Sequence, residues 1–359
     1  MGIKNQQVYP RVEISLEKIR HNLEILIGLC LEKGIRITPV TKGVYGSVEI
    51  ARLFSEYNIH SIGDSHIQNI HKMKDDGIST DFLLLREPMK HEIEDVVTLT
   101  NFCLVSEMAA INWLNDAAAR YDKKYNIILM IELGDRREGI LLSEIDNYIQ
   151  QILSLKHIYP SGIGTNLTCL NGIKPTSEKM NQFSEIASHI QSQYSLKLDI
   201  VSGGNSANYQ WLQEIKNSGK INHLRIGEAI LLGIDPISQS SIRGLQTGTF
   251  LLSVEVIESK RKPSLPDGTP TYTAFGDLPK IKDEGKMNRA LLAIGLQDLD
   301  LRGCSPVDPN IKIVGATSDH MVINSTKRLL QVGEIIKFSL RYRSVLRLMI
   351  SPYVHKEYK

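Results

Sequence analysis

The chain is sparing in the residues that announce metal sites, membranes or nucleic acid. Its 359 residues include four cysteines, Cys30, Cys103, Cys169 and Cys304, and none stands in a C-x-x-C pair. Neither a zinc site nor a disulfide framework is signalled, and four buried thiols in a reducing, cytoplasmic setting are expected. The histidines converge on no metal-ligand spacing, so no metal is expected. No run reaches the ~18 apolar residues needed to span a bilayer, and the start MGIKNQQVYPRVEIS lacks an apolar core of signal-peptide length. Charge of one sign is also missing: 42 Lys and Arg are interspersed with 40 Asp and Glu, for a net charge of +2. This excludes nucleic acid and anionic membrane as main partners. No G-x-S-x-G occurs, which removes the nucleophile elbow of the α/β-hydrolases.

What remains is an ordinary globular composition, 42% hydrophobic and 23% charged, in a chain longer than one core usually fills. Two domains are expected. LEKIRHNLEILIGLCLEKG has apolar residues at helical spacing and is followed by the β-branched run IRITPVTK. The alternation repeats through HSIGDS, TDFLLLREP, NFCLVSE, YNIILMIELG, IYPSGIGTN, LKLDIVSGGN and INHLRIGEA, each preceded by a helix-like segment. Eight strands separated by helices predict parallel βαβ units closed into a (β/α)8 TIM-type barrel. An open doubly wound sheet would need a Gly-rich turn after its first strand, which here ends in VTKGVYG.

After Ser240 the texture changes. LQTGTFLLSVEVIESK, RALLAIGLQDL, IKIVGATSDHMVI and GEIIKFSLRYRSVLRLM read as strands of a mainly antiparallel β domain, and KPSLPDGTPTYTAFGDLPKIKDEGK as a long loop. The expected division is a barrel over 10–240 and a β domain over 241–359, with residues 1–9 packing on the latter.

In such a barrel the chemistry belongs at the carboxyl ends of the strands. Those ends are polar: Lys42, then Asp64 and Ser65, Arg86, Glu132 with Arg137 and Glu138, Asn166, the run Ser202, Gly203, Gly204, Asn205 and Ser206, and Arg225 ahead of Gly227 and Glu228. A lysine at the end of a buried run, near other cations, has a lowered pKa and makes a competent Schiff-base nucleophile; it could equally snorkel out of the barrel top. SGGNSAN is a glycine-rich turn opening a helix, where backbone N–H groups can hold a phosphate or simply cap the helix. Together with a mouth lysine it suggests a phosphorylated aldehyde cofactor.

These phrases occur in the order seen in a known family. VTKGVYG, ELGDRREG, GIGTNL, SGGNSAN, LRIGEAILLG and SDHMVI resemble the alanine-racemase-type enzymes, and IGDSHIQNIHKM, LLREPM, IGTNLTC, AIGLQDLD and SPYV resemble the branch that contains the ornithine racemases. The resemblance covers nearly the whole chain. It implies a fold-type III enzyme with pyridoxal 5'-phosphate (PLP) in the barrel, working as a head-to-tail homodimer whose partner chain completes each active site. Lys42 matches the lysine that holds the cofactor, and Asn166 stands where alanine racemases have a histidine on the cofactor ring. Ser206 and the Gly227 region match the phosphate site, Tyr342 a phosphate-binding tyrosine, and Arg225 the arginine facing the pyridine nitrogen. A guanidinium there keeps that nitrogen unprotonated and throws the work onto two acid/base groups.

The departures concern the second of those groups. Where the family places a tyrosine, TYTAFGD puts Phe275, with Thr273 in place of the branch's aspartate. Tyr272 and His320 are the candidates that remain, alongside Lys42 as the first base. Tyr45 follows Lys42 one residue too early for the family's phosphate tyrosine. The expected reaction is racemisation of a free amino acid, ornithine first, with Arg137 and Asp319 as substrate contacts. Asp64, Asp135, Glu138 and Asp319 are possible counter-charges for a basic side chain, although solvated surface acids are the commoner reading. A fold-type III decarboxylase would need a catalytic cysteine, for which only Cys304 is placed. A non-catalytic PLP carrier would lack the second domain.

Overall fold

The computed structural model describes residues 8–278 and 281–359. Strand β1 (Arg11–Ile14) belongs with the C-terminal strands. The next eight are β2 (Arg36–Pro39), β3 (Ile62–Asp64), β4 (Phe82–Leu84), β5 (Phe102–Val105), β6 (Tyr125–Met130), β7 (Ile158–Gly164), β8 (Ile200–Ser202) and β9 (His223–Ile226). They pair in parallel in the order β2-β9-β8-β7-β6-β5-β4-β3, and a parallel bridge from Val40 to Gly63 joins β2 to β3 and closes the ring. This is the expected (β/α)8 barrel. It lies within a compact unit spanning Glu17–Thr247.

The helices between the strands follow their apolar spacing. Ser177–Tyr194 buries Met180, Phe183, Ala187 and Ile190 along one face, and the Thr176 side chain caps its start by accepting from the Lys179 N–H. Inside the sheet, Leu83, Leu104, Ile128, Met130 and Ile200 form a buried apolar cluster. Gly164 at the end of β7 leaves room for two neighbours: a Cβ there would lie 2.8 Å from Met130 Sδ and 3.7 Å from an Arg225 nitrogen.

The second unit holds the described residues up to Leu16 and Gly248–Lys359. Its further strands are β10 (Phe250–Pro263), β11 (Lys286–Leu292), β12 (Cys304–Pro306), β13 (Ile311–Ala316), β14 (Met321–Ser325), β15 (Ile335–Leu340) and β16 (His355–Tyr358). The order β12-β15-β10-β11-β14-β13 is antiparallel throughout, while β1 pairs antiparallel with β10 and parallel with β16. The expected packing of residues 1–9 lies, for 1–7, outside the described residues.

Three expectations need correction. IKIVGATSDHMVI is a hairpin of β13 and β14 with TSDH as its turn. RYRSVLRLM is the helix Tyr342–Ile350 rather than strand, because Val345, Leu348 and Met349 repeat at helical spacing and are buried. Cys169 is exposed, unlike the other three cysteines.

Among the described residues no helix is long and apolar enough to cross a membrane, and no group of three His, Cys, Asp or Glu is arranged to hold a metal ion.

Candidate active site at the barrel mouth

Lys42 opens a single 3-10 turn, Lys42–Val44, directly after β2. The turn is pinned from β3. Asp64 is fully buried and accepts hydrogen bonds from the Thr41 hydroxyl (2.7 Å), the His66 N–H (2.9 Å) and the Asn69 amide (3.0 Å). Tyr45 closes the turn in the left-handed region at φ 55°, with the Lys72 ammonium 4.6 Å from its ring centroid. Lys42 keeps solvent exposure at the end of β2, although the protein packed around its amine is dense enough to affect its charge. Desolvation lowers its pKa; Arg137 and Arg225 lower it further, against opposing pulls from Cys169 and Asp64.

Arg225, on β9, is buried beside it. It donates to the Ser202 hydroxyl and to the Thr165 carbonyl (2.8 Å). Burial pushes its pKa down to about 10, with Glu138 and Cys169 opposing the shift, so it remains a cation at neutral pH. Behind it a line of hydrogen bonds runs through the barrel interior. Ser202 Oγ meets His223 Nδ1 at 2.8 Å, His223 Nε2 meets Thr38 Oγ1 at 2.8 Å, Thr38 meets Ser61 at 2.7 Å, and Ser61 meets His60 Nδ1 at 3.2 Å. Burial holds both imidazoles neutral at pH 7, His60 at about 4 and His223 well below its usual range.

The loop after β8 builds a cradle. Gly204 sits at φ 140°, and a Cβ there would lie 2.3 Å from Asn208 Oδ1, so only glycine fits. Asn205 caps the Ser206–Asn208 turn by accepting from the Ala207 N–H and donates to Asn166 Oδ1 and the Leu167 carbonyl, both at 3.0 Å. Ser206 Oγ accepts from the N–H groups of Gly227 and Ala229 at 3.2 Å. That leaves its own proton to give, at the start of the short helix Glu228–Leu232. The Asn166 amide nitrogen and the Thr165 hydroxyl are buried and have no partner, which is costly unless a ligand supplies one.

The loop after β6 is held by Asp135. This buried carboxylate accepts from the Leu170 and Asn171 N–H groups, each at 3.0 Å, tying the loop to the one after β7. On it Arg137 and Glu138 pair through two parallel hydrogen bonds. Asp64 and Asp135 are thus internal fixtures, in contrast to the surface acids expected at those positions. Arg86 pairs with the buried Glu92.

The structure therefore gathers Lys42, Arg137, Asn166, Ser202, Gly203, Gly204, Asn205, Ser206, Arg225, Gly227 and Glu228 at the carboxyl ends of β2, β6, β7, β8 and β9. His320, Asp319, Tyr272 and Tyr342 belong to the other unit. There, His320 Nδ1 lies 2.9 Å from Asp319 Oδ1 at the β13–β14 turn. Tyr272 is 65% exposed, and the Thr273 hydroxyl accepts from the Phe275 and Asp277 N–H groups. Tyr342 begins the last helix. Cys304 is buried and its thiol is pushed up to about 12, which does not suit a catalytic thiolate.

Two residues that bear on the mouth, one of them in the barrel interior, are not singled out by the sequence. His223 precedes Arg225 by two positions on one strand and so shares its face, a signal that strand alternation carries. Cys169 lies near enough to Lys42, Arg137 and Arg225 to affect all three, and nothing in LTCLNG signals it.

Residues 14–236 match the family described as alanine racemase, N-terminal domain. An ornithine racemase of Acetoanaerobium sticklandii and a lysine racemase of Thermotoga maritima are each 35% identical to the chain over 353 residues, covering 98% of it and 99% of the relative. Among solved structures, an alanine racemase of Clostridium difficile 630 superposes with a TM-score of 0.77 at 19% identity, covering 99% of this chain and 97% of that one, a likeness of fold. With a barrel mouth of this design and relatives this similar over their full length, the chain belongs to the alanine-racemase-type family of amino-acid racemases.

Proposed function

We propose that this protein is a PLP-dependent racemase of free basic amino acids, ornithine and lysine first. The observation that carries the reading is the placement of Lys42: a lysine with a depressed pKa, on a pinned turn directly after β2, the strand that pairs with Arg225's strand β9. The two relatives whose names specify ornithine and lysine supply the substrate class.

The mouth fits the cofactor. The unpartnered Asn166 amide can donate to a ring substituent, Ser206 and the glycines of the cradle suit a phosphate, and Arg225 suits the pyridine nitrogen. When bound, PLP supplies the electron-withdrawing ring that acidifies the substrate's Cα–H. The protein's residues do the rest. Arg225 would hold the ring nitrogen and, being a cation at neutral pH, would not give up its proton. Lys42 Nζ takes a proton from Cα, or returns one, on its own face. Arg137 orients the substrate carboxylate. Inversion needs a second acid on the opposite face, and we assign that role to His320 or Tyr272, with Asp319 at the substrate and Tyr342 at the phosphate, all supplied by the partner chain of a cytoplasmic homodimer.

Incubation with each common L-amino acid and chiral chromatography of the products tests the reading. Inversion of ornithine or lysine is expected. Carbon dioxide release with no inversion overturns it in favour of a decarboxylase.

A further inference from the structure

Arg137 and Glu138 form a salt bridge with themselves as nearest neighbours in sequence, their side chains 37% and 29% exposed at the barrel mouth. The guanidinium presents Nε and one Nη to the two carboxylate oxygens, the fork geometry by which an arginine takes a carboxylate. The pair is not sunk in the core, so water can reach both partners and either can exchange its counter-ion. It also lies within the charged ring of the mouth. Arg137 is close enough to Lys42 to repel its ammonium, and Glu138 close enough to Arg225 to stabilise its cation.

The neighbouring acids are committed elsewhere. Asp64 holds the Lys42 turn, Asp135 holds the loop after β7, and Glu132 accepts from the Gly134 N–H. Glu138 is different: its carboxylate is spent on a residue that has a second use, since a substrate carboxylate competes for the same guanidinium fork.

We propose that a basic amino acid opens this pair, its α-carboxylate taking Arg137 and its side-chain ammonium taking Glu138, so that Glu138 selects basic over neutral substrates. The inference rests on the racemase reading above. In the free protein each member of the pair stands in for the half of the substrate that the other will bind. A neutral amino acid takes the guanidinium and leaves the Glu138 carboxylate without its hydrogen-bonded cationic partner, and that penalty is the source of discrimination.

The test is calorimetric binding of δ-aminovalerate to the holoenzyme. This ligand carries the carboxylate and the distal ammonium but has no α-amino group to react, and valerate is its neutral partner. Wild type should prefer δ-aminovalerate. Glu138→Gln, which keeps the shape and removes the charge, should reduce that preference by roughly tenfold or more, and Glu138→Asp should recover part of it. An unchanged preference in Glu138→Gln overturns the proposal. Should that variant fail to fold, Glu138→Asp decides alone, because shortening the arm must lower the ratio and an unaltered ratio refutes the contact. Racemisation separates the two levels of the argument. Wild type that inverts neither ornithine nor lysine refutes the parent reading whatever Glu138 does. Wild type that inverts them, with the ornithine-to-norvaline ratio of kcat/KM unmoved in Glu138→Gln, refutes the inference alone.

Discussion

The Asp64 carboxylate accepts the Thr41 hydroxyl at 2.7 Å, one residue before Lys42, so the lysine's backbone is fastened to the end of the adjacent strand. The same carboxylate gathers the His66 N–H and the Asn69 amide. Asp64→Ala removes the acceptor of two buried side-chain donors and one half-buried N–H at once and is expected to cost about 2–4 kcal/mol in denaturant unfolding. It should also slow capture of PLP by the apoprotein. A variant with wild-type stability would show that the turn is held by other contacts.

Lys42→Ala is expected to abolish the yellow colour of the purified protein, because the conjugated link between a lysine and the cofactor absorbs visible light. Borohydride reduction followed by peptide mapping identifies the attachment point. Label fixed at another lysine removes Lys42 from its role.

The depressed Lys42 pKa sets the sign of a pH effect. A lowered pKa enlarges the neutral amine fraction at any given pH, so covalent capture of PLP should reach half its maximal rate below the ~10.4 of an ordinary lysine. Arg137→Ala removes one of the repelling cations and should move that midpoint up. Stopped-flow absorbance across pH reads it, and a midpoint that stays or falls contradicts the electrostatic account.

Ser202 mediates between Arg225 and His223. Ser202→Ala leaves a buried guanidinium nitrogen and an imidazole nitrogen without their partner, at an expected cost of about 1–3 kcal/mol in unfolding free energy. The absorption spectrum of bound PLP should shift as Arg225 loses its alignment. An unaltered spectrum and unaltered stability together would mean that water replaces the hydroxyl fully.

The two-base scheme is read in heavy water from a single enantiomer. Solvent deuterium should enter Cα of the inverted product while recovered substrate stays mostly protonated early in the reaction. His320→Asn and Tyr272→Phe separate the candidates for the second acid. The true one should lose inversion by roughly two to four orders of magnitude while Lys42 still exchanges the proton on its own face. Parent rates in both variants exclude the pair.

The barrel was legible because its strands are short and buried and its helices amphipathic, two patterns that a sequence displays residue by residue. Lys42, Arg225 and the SGGNSAN turn were legible for a related reason: a polar residue ending an apolar run has few places to go but the mouth. Burial of Asp64 and Asp135 was not, since it depends on donors distant in the chain, such as Thr41 for the one and Leu170 for the other. Tyr342–Ile350 has the look of a strand in sequence because it follows β15 without a break in apolar content, and its helical period becomes visible only once Val345, Leu348 and Met349 share a buried face. Cys169 and His223 matter through the neighbours that folding gives them.

The run of hydrogen bonds from Arg225 to His60 means that this barrel cannot be handled as an inert scaffold beneath an active site. Thr38, Ser61 and His223 occupy core positions that a stabilising redesign would fill with hydrocarbon. Replacing any one of them singly would orphan the next, and the disturbance would reach Arg225 at the barrel mouth. The seam has to be kept whole or exchanged whole, and engineering of thermal tolerance in this enzyme is best begun on its helices.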